Sequence, residues 1–152
     1  MKTIRNPKIS AAMILGVTAF YSLVFIVTSG HIEFERLLNH SRTLNSPFWN
    51  GWSDFLARGH MKYVGYAYIV LALAVVVLSF LRKRNYDEYQ AGLLSKGFIA
   101  AGIVMMCLFP LALLLILSDR NYAVEAILFL TAAHWSAVLI ADLAYVVRWH
   151  RA

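Results

Sequence analysis

Residues 60–84 read HMKYVGYAYIVLALAVVVLSFLRKR. From Tyr63 to Leu81 there is no charged side chain, and Arg82, Lys83 and Arg84 then end the run abruptly. A helix needs about 20 apolar residues to cross the hydrocarbon core of a bilayer. This stretch meets that length, and its basic stop is what a span placed at a membrane boundary requires. Tyr63, Tyr66 and Tyr68 occupy one half of it and Leu, Ala and Val the other.

The same reading extends in both directions. Further spans are expected at residues 10–29, 97–117 and 122–147, with the quoted one at 60–81. The 152-residue chain is 61% hydrophobic and 14% charged. A soluble domain is about half apolar and a quarter charged. The expected fold is therefore all-α: one integral membrane domain over residues 1–152, a four-helix bundle.

The first span follows Lys2, Arg5 and Lys8 and so resembles a signal peptide at first sight. It is longer than a typical h-region, and Val27, Thr28 and Ser29 make a poor cleavage site, so it reads as an uncleaved span. Tyr86, Tyr89, Leu93 and Leu94 share a helical face ahead of span 3, and Asn85 can cap that helix. Asp87 and Glu88 suit its N-terminus, and it should run on into span 3. Pro110 should bend span 3, and residues 118–121 form a tight turn.

Between spans 1 and 2 lies a long connection. Ser46-Pro47 is an N-cap followed by proline at the first helical position. Phe48, Trp49, Trp52, Phe55 and Leu56 recur on one helical face, and Gly59 is a C-terminal stop. Such an amphipathic, aromatic helix is expected to lie in the membrane interface.

Orientation follows from the basic residues. One side of the membrane would hold Lys2, Arg5, Lys8, Arg82, Lys83, Arg84, Lys96, Arg148 and Arg151. The other would hold only Arg36, Arg42, Arg58, Lys62 and Arg120. The positive-inside rule puts both termini in the cytoplasm and the aromatic helix outside, in a bacterial-type inner or plasma membrane. Because the basic residues cluster at span ends, the net charge of +6 marks membrane topology and does not suggest nucleic-acid binding.

The chemistry-bearing residues are few. Cys107 is the sole cysteine, which excludes an internal disulfide or a paired-cysteine redox centre. No nucleophile elbow, zincin motif, P-loop or dinucleotide fingerprint is present, so an enzyme is disfavoured. Polar groups inside spans are costly and are functional candidates. On span 4 these are Thr131, His134, Trp135, Asp142 and Glu125. Thr131 and Trp135 each project within about 20° of Asp142, with His134 about 80° from it, which makes one polar flank. His134 is expected to find a hydrogen bond with Thr18, Tyr21 or Ser22, or else to share a cation path with Asp142. Asp142 is expected to pair with Lys96 or with one of Arg82 to Arg84. Glu125 is expected to snorkel or to pair with Arg120 or Lys62.

Cofactors are not indicated by motif. Haem needs paired axial ligands, and His134 alone lies deep in a span, with His60 at a span end. A metal is a weak possibility on the outer loop, through His31, Glu35, His40 and His60, with Glu33 and Asp54 nearby. Arg82 to Arg84 with Tyr86 would suit anionic lipid head groups, though a topological stop explains them as well.

Small residues mark packing faces: Ala133, Ala137, Ala141 and Ala144 on span 4, Gly97, Ala101 and Gly102 on span 3, and Ala12 and Gly16 on span 1. They serve packing within one copy or self-association. The expected partners are thus the lipid bilayer and a second copy or another membrane protein. The leading expectation for function is an oligomeric protein that conducts or transports a small ion or solute. The alternative is an accessory, sensor or immunity-type protein acting on another membrane protein; a lipid-modifying enzyme ranks third.

Overall fold

A computed structural model describes residues 7–38, 43–81 and 88–151, all helical apart from short connections. The elements are α1 (Pro7–Thr28), α2 (Ile32–Leu38), α3 (Pro47–Ala57), α4 (Met61–Leu81), α5 (Glu88–Ser118) and α6 (Ala123–Arg151). A 3₁₀ turn, Arg120–Tyr122, joins α5 to α6. Four helices are long and apolar enough to cross a membrane, over Ala11–Thr28, Met61–Leu81, Ser95–Ser118 and Arg120–Val147. Helices satisfy every backbone group internally, which is the condition for entering lipid. The chain is a membrane-embedded helical protein by length and composition.

Helices α1 and α4 form an antiparallel pair. The buried residues of α4 are Met61, Gly65, Tyr68, Ala72, Val75 and Ser79. Their spacing alternates four and three, which is the spacing that keeps one seam facing a partner helix. Ala11, Thr18, Ser22, Phe25 and Ser29 form the matching seam of α1. Gly65 allows the closest approach, since a Cβ there would lie 3.0 Å from the Ser22 carbonyl oxygen and 3.2 Å from Ile26 Cγ1. Without a hydrophobic drive in lipid, such close backbone contact is what holds helices together.

Helices α5 and α6 form the second antiparallel pair. A Cβ at Gly97 would come within 3.1 Å of Ala141 Cβ. Near the α5–α6 turn, Ala112 and Leu115 pack with Tyr122, Ala126 and Leu130. The turn is fixed by Asp119, whose side chain accepts from the Asn121 amide at 2.9 Å. The two pairs meet along α4 and α6. Small residues are used only in part: Ala144 is exposed, and open space lies beyond Gly16 and Gly102.

The connection between α1 and α4 is more ordered than its sequence suggests. Helix α2 was not foreseen; it buries Leu38 and carries an exposed Arg36–Glu33 ion pair at 2.6 Å. Helix α3 begins after Ser46, as expected, but the Ser46 hydroxyl makes no capping bond. Its carbonyl instead accepts the Asn50 amide at 3.0 Å. Gly59 is the expected stop, with φ of 68°, and its amide donates to the Leu56 carbonyl at 2.9 Å. Helix α5 runs from Glu88 into the third candidate span, Ser95–Ser118, and continues through Pro110 within it. Asn85, Tyr86 and Asp87 lie outside the described residues.

Candidate functional site

The polar side chains of the spans fall into two groups, and the difference is local. Five hydroxyls close on their own helix. Thr28 donates to the Val24 carbonyl at 2.7 Å, Ser29 to Phe25 at 2.6 Å and Ser79 to Val75 at 2.7 Å. Ser118 donates to Leu114 at 2.7 Å and Thr131 to Ile127 at 2.8 Å. A hydroxyl satisfied by its own preceding turn has no need of a partner helix.

Thr18, Ser22 and Ser136 behave differently. They lie where α1, α4 and α6 meet. The Trp135 indole Nε1 donates to Thr18 Oγ1 at 3.0 Å, and the Tyr21 and Trp135 rings lie 5.2 Å apart. The Tyr68 hydroxyl donates to the Ala132 carbonyl at 2.6 Å and stands 2.6 Å from Ser136 Oγ. With its proton on Ala132, Tyr68 takes the proton of Ser136. Ser22 is fully buried, and its Oγ has no hydrogen-bond partner among the described residues. These groups make a polar layer across the packed helices.

Asp142 lies on the same face of α6 as Trp135, two turns nearer the end that holds Pro7 and Arg151. It is 3% exposed, and its Oδ2 has no hydrogen-bond partner among the described residues. The Trp135–Thr18 contact fixes the antiparallel register of α6 against α1. Moving seven residues along each helix brings Asp142 level with Ala11, which is itself buried. Next to it, Val75, Tyr145 and Val146 form one buried cluster with Leu78 and Leu143. On the other side, Ala141 meets Gly97.

The expected ion pair for Asp142 is absent among the described residues. Lys96 is exposed, because its neighbour Gly97 takes the contact position on α5. Arg82, Lys83 and Arg84 lie outside the described residues. His134 is half-buried, and its Nδ1 has no partner among the described residues. Thr18 is taken by Trp135, so the expected His134–Thr18 bond does not form. The polar flank is therefore divided: Trp135 and Asp142 face the packed helices, while Thr131 turns back on the Ile127 carbonyl.

Glu125 is the other correction. It does not snorkel, being fully buried in the first turn of α6. Ser53 Oγ donates to its Oε1 at 2.9 Å, and the Trp52 indole donates to its carbonyl at 3.0 Å. Tyr122 donates to Asn50 Oδ1 at 2.9 Å. Phe48, Trp49 and Trp52 surround Phe129, with centroids at 5.5, 5.5 and 5.8 Å. Thr43 also bonds to Asp119 across the α5–α6 turn. Three aromatic rings of α3 are thus spent on α6, while Leu56 is buried in the cluster of Phe25, Leu38 and Met61 and Phe48 stays half outside.

No three His, Cys, Asp or Glu side chains come together as a metal site among the described residues. His31 and Glu35 are exposed. The His60 ring packs instead on Phe55 at 5.3 Å and Tyr63 at 5.9 Å. His40 lies outside the described residues. Cys107 is exposed on α5.

Fold and site together define a class, a membrane-embedded helical protein with a polar layer and two buried carboxylates, Glu125 and Asp142, on α6. No protein-family model, curated protein or solved structure matches the chain.

Proposed function

We propose that this protein conducts or transports a small ion or solute, using the face of α6 that carries Trp135 and Asp142. In this reading the chain is a four-span bundle with both termini in the cytoplasm and α3 at the outer interface. The observation that carries the proposal is Asp142, a carboxylate 3% exposed inside a span, with Oδ2 unpartnered among the described residues. An Asp inside a membrane helix costs up to about 3 kcal/mol on insertion scales, the figure for the helix centre. A group held at that expense without a structural bond is explained by a cargo that visits it. Asp142 lies five residues from Val147, about 8 Å from the cytoplasmic end of the span. In this reading passage requires the Trp135–Thr18 contact to open. The exposed Ala12 and Gly16 of α1 offer a small-residue face for assembly of an oligomer.

The test is uptake of a panel of cations, anions and small neutral solutes into liposomes holding the purified protein. One species should enter faster than into empty liposomes, and the His134→Ala/Asp142→Asn double variant should abolish the excess. Full uptake by that variant would remove Asp142 from the path.

A second reading is favoured by α5, the least enclosed of the long helices. Ile99, Ile103, Met106 and Leu117 all point away from α6 on a face wide enough for another membrane protein. An accessory, sensor or immunity-type role would then apply. Crosslinking from Met106→Cys in native membranes should recover one defined partner; recovery of lipid or of random proteins removes this reading.

A further inference from the structure

Resting on the transport reading, the geometry around Asp142 points to the species it binds. We infer that the cargo of Asp142 is a proton, loaded from the cytoplasmic end, and that the Trp135–Thr18 contact is the barrier that separates it from the outer side.

A hard metal cation stripped of water needs a cage of oxygens, about six or more for the divalent ones. Within one turn of Asp142, α6 offers Val138, Leu139, Ala141, Leu143, Tyr145 and Val146. The only oxygen-bearing side chain in that set is Tyr145. Helix carbonyls on α6 are engaged in the helix itself. On the neighbouring helices Ala11, Val75 and Gly97 occupy this depth, and the one buried hydroxyl within a turn of them among the described residues, Ser79, is engaged with the Val75 carbonyl at 2.7 Å. A proton requires one oxygen lone pair and no cage. It binds as COO⁻ + H⁺ → COOH, so the charge is neutralised with no further ligand and no co-reactant. Among the described side chains, the titratable groups near this depth are Tyr145 and Lys96, and Lys96 is exposed.

The barrier follows from the layer above. Trp135 fills the face of α6 directly over Asp142 and is tied to Thr18 at 3.0 Å. Tyr68 and Ser136 close the adjacent gap between α4 and α6 at 2.6 Å. Within the layer, one turn from Thr18, Ser22 Oγ is buried without a partner among the described residues, which leaves one hydroxyl to hold a water once the indole swings away.

The test uses the full-length protein in liposomes with an internal pH dye, a potassium diffusion potential and a parallel potassium-flux dye. The wild type should acidify or alkalinise its lumen at a rate above that of empty liposomes, with no potassium flux. Asp142→Asn should abolish proton flux, and Asp142→Glu should retain it. Thr18→Val, which keeps the volume and removes the indole's acceptor, should raise the flux several-fold. Infrared difference spectra on a pH jump should show a carboxylic-acid carbonyl band that is missing in Asp142→Asn. That band reports binding even where a variant conducts poorly. Flux of potassium or another solute without protons would overturn this inference and leave the transport reading standing. Flux of nothing would remove both. Unchanged proton flux in Thr18→Val would overturn the barrier, and proton flux persisting in Asp142→Asn would overturn the site.

Discussion

At Gly65 the decisive contact is between backbone and backbone. A side chain there meets the Ser22 carbonyl at 3.0 Å and Ile26 at 3.2 Å, and a helix carbonyl has no freedom to move aside. Gly65→Leu should destabilise the α1–α4 pair by about 1–3 kcal/mol, the usual range for overpacking. Unfolding of the detergent-solubilised protein checks it; unchanged stability would mean that α1 and α4 do not approach this closely. Tyr68 tests hydrogen bonding in the same seam. Tyr68→Phe strands the Ser136 hydroxyl and one lone pair of a carbonyl already used by its helix. Membrane hydrogen bonds average about 0.6 kcal/mol and reach about 1.7. A loss of about 1 kcal/mol is expected, by the same unfolding assay. The sequence placed Asp142 and Trp135 on one face because helical phase is arithmetic. It named Ser22 only as a partner for His134 and did not single out Tyr68 or Ser136, although the four-three spacing of Gly65, Tyr68, Ala72 and Val75 is present in the chain. Hydrophobicity hides such a seam in lipid, where both faces of a helix are apolar.

Among the elements, α3 is the one whose environment differs from its pattern. Phe48, Trp49, Trp52, Phe55 and Leu56 do share a face, as the periodicity required. Phe48, Trp49 and Trp52 pack on Phe129 of α6 while Leu56 joins the core cluster of Phe25, Leu38 and Met61, a tertiary choice that periodicity cannot distinguish from burial in lipid head groups. Glu125 was misread for the same reason: a carboxylate near a span end snorkels unless a neighbour supplies donors, and Ser53 comes from a distant part of the chain. Trp52→Ala should raise amide hydrogen exchange across α3 while leaving the middle of α4 protected. Equal exchange in both proteins would show that α3 is not held by this side chain. Gly59 joins α3 to α4 with φ of 68° and would place a Cβ 2.7 Å from the Ser29 carbonyl. Gly59→Ala combines left-handed strain with a backbone collision, so a loss of more than about 1 kcal/mol is expected from thermal unfolding in detergent.

For the whole molecule, span count and approximate boundaries were legible because length and charge exclusion are one-dimensional signals. Which helices pair was not legible, since short connections fix only α5 with α6. Pairing of α1 with α4 depends on glycine contacts across a long connection. Orientation is a separate matter. Reporter fusions after Ala152 and within the loop near Arg42 should be active on opposite sides, with the C-terminal end cytoplasmic, as nine basic residues against five require. A C-terminal fusion active outside would invert the path and place the Asp142 end at the outer surface.

The most direct measurement is the reversal potential of the purified protein in a planar bilayer, with a pH gradient and an opposing potassium gradient. The account predicts a reversal potential that follows the pH gradient, ignores potassium and vanishes with Asp142→Asn. A reversal potential set by potassium, or a pH-driven current undiminished in Asp142→Asn, would contradict it.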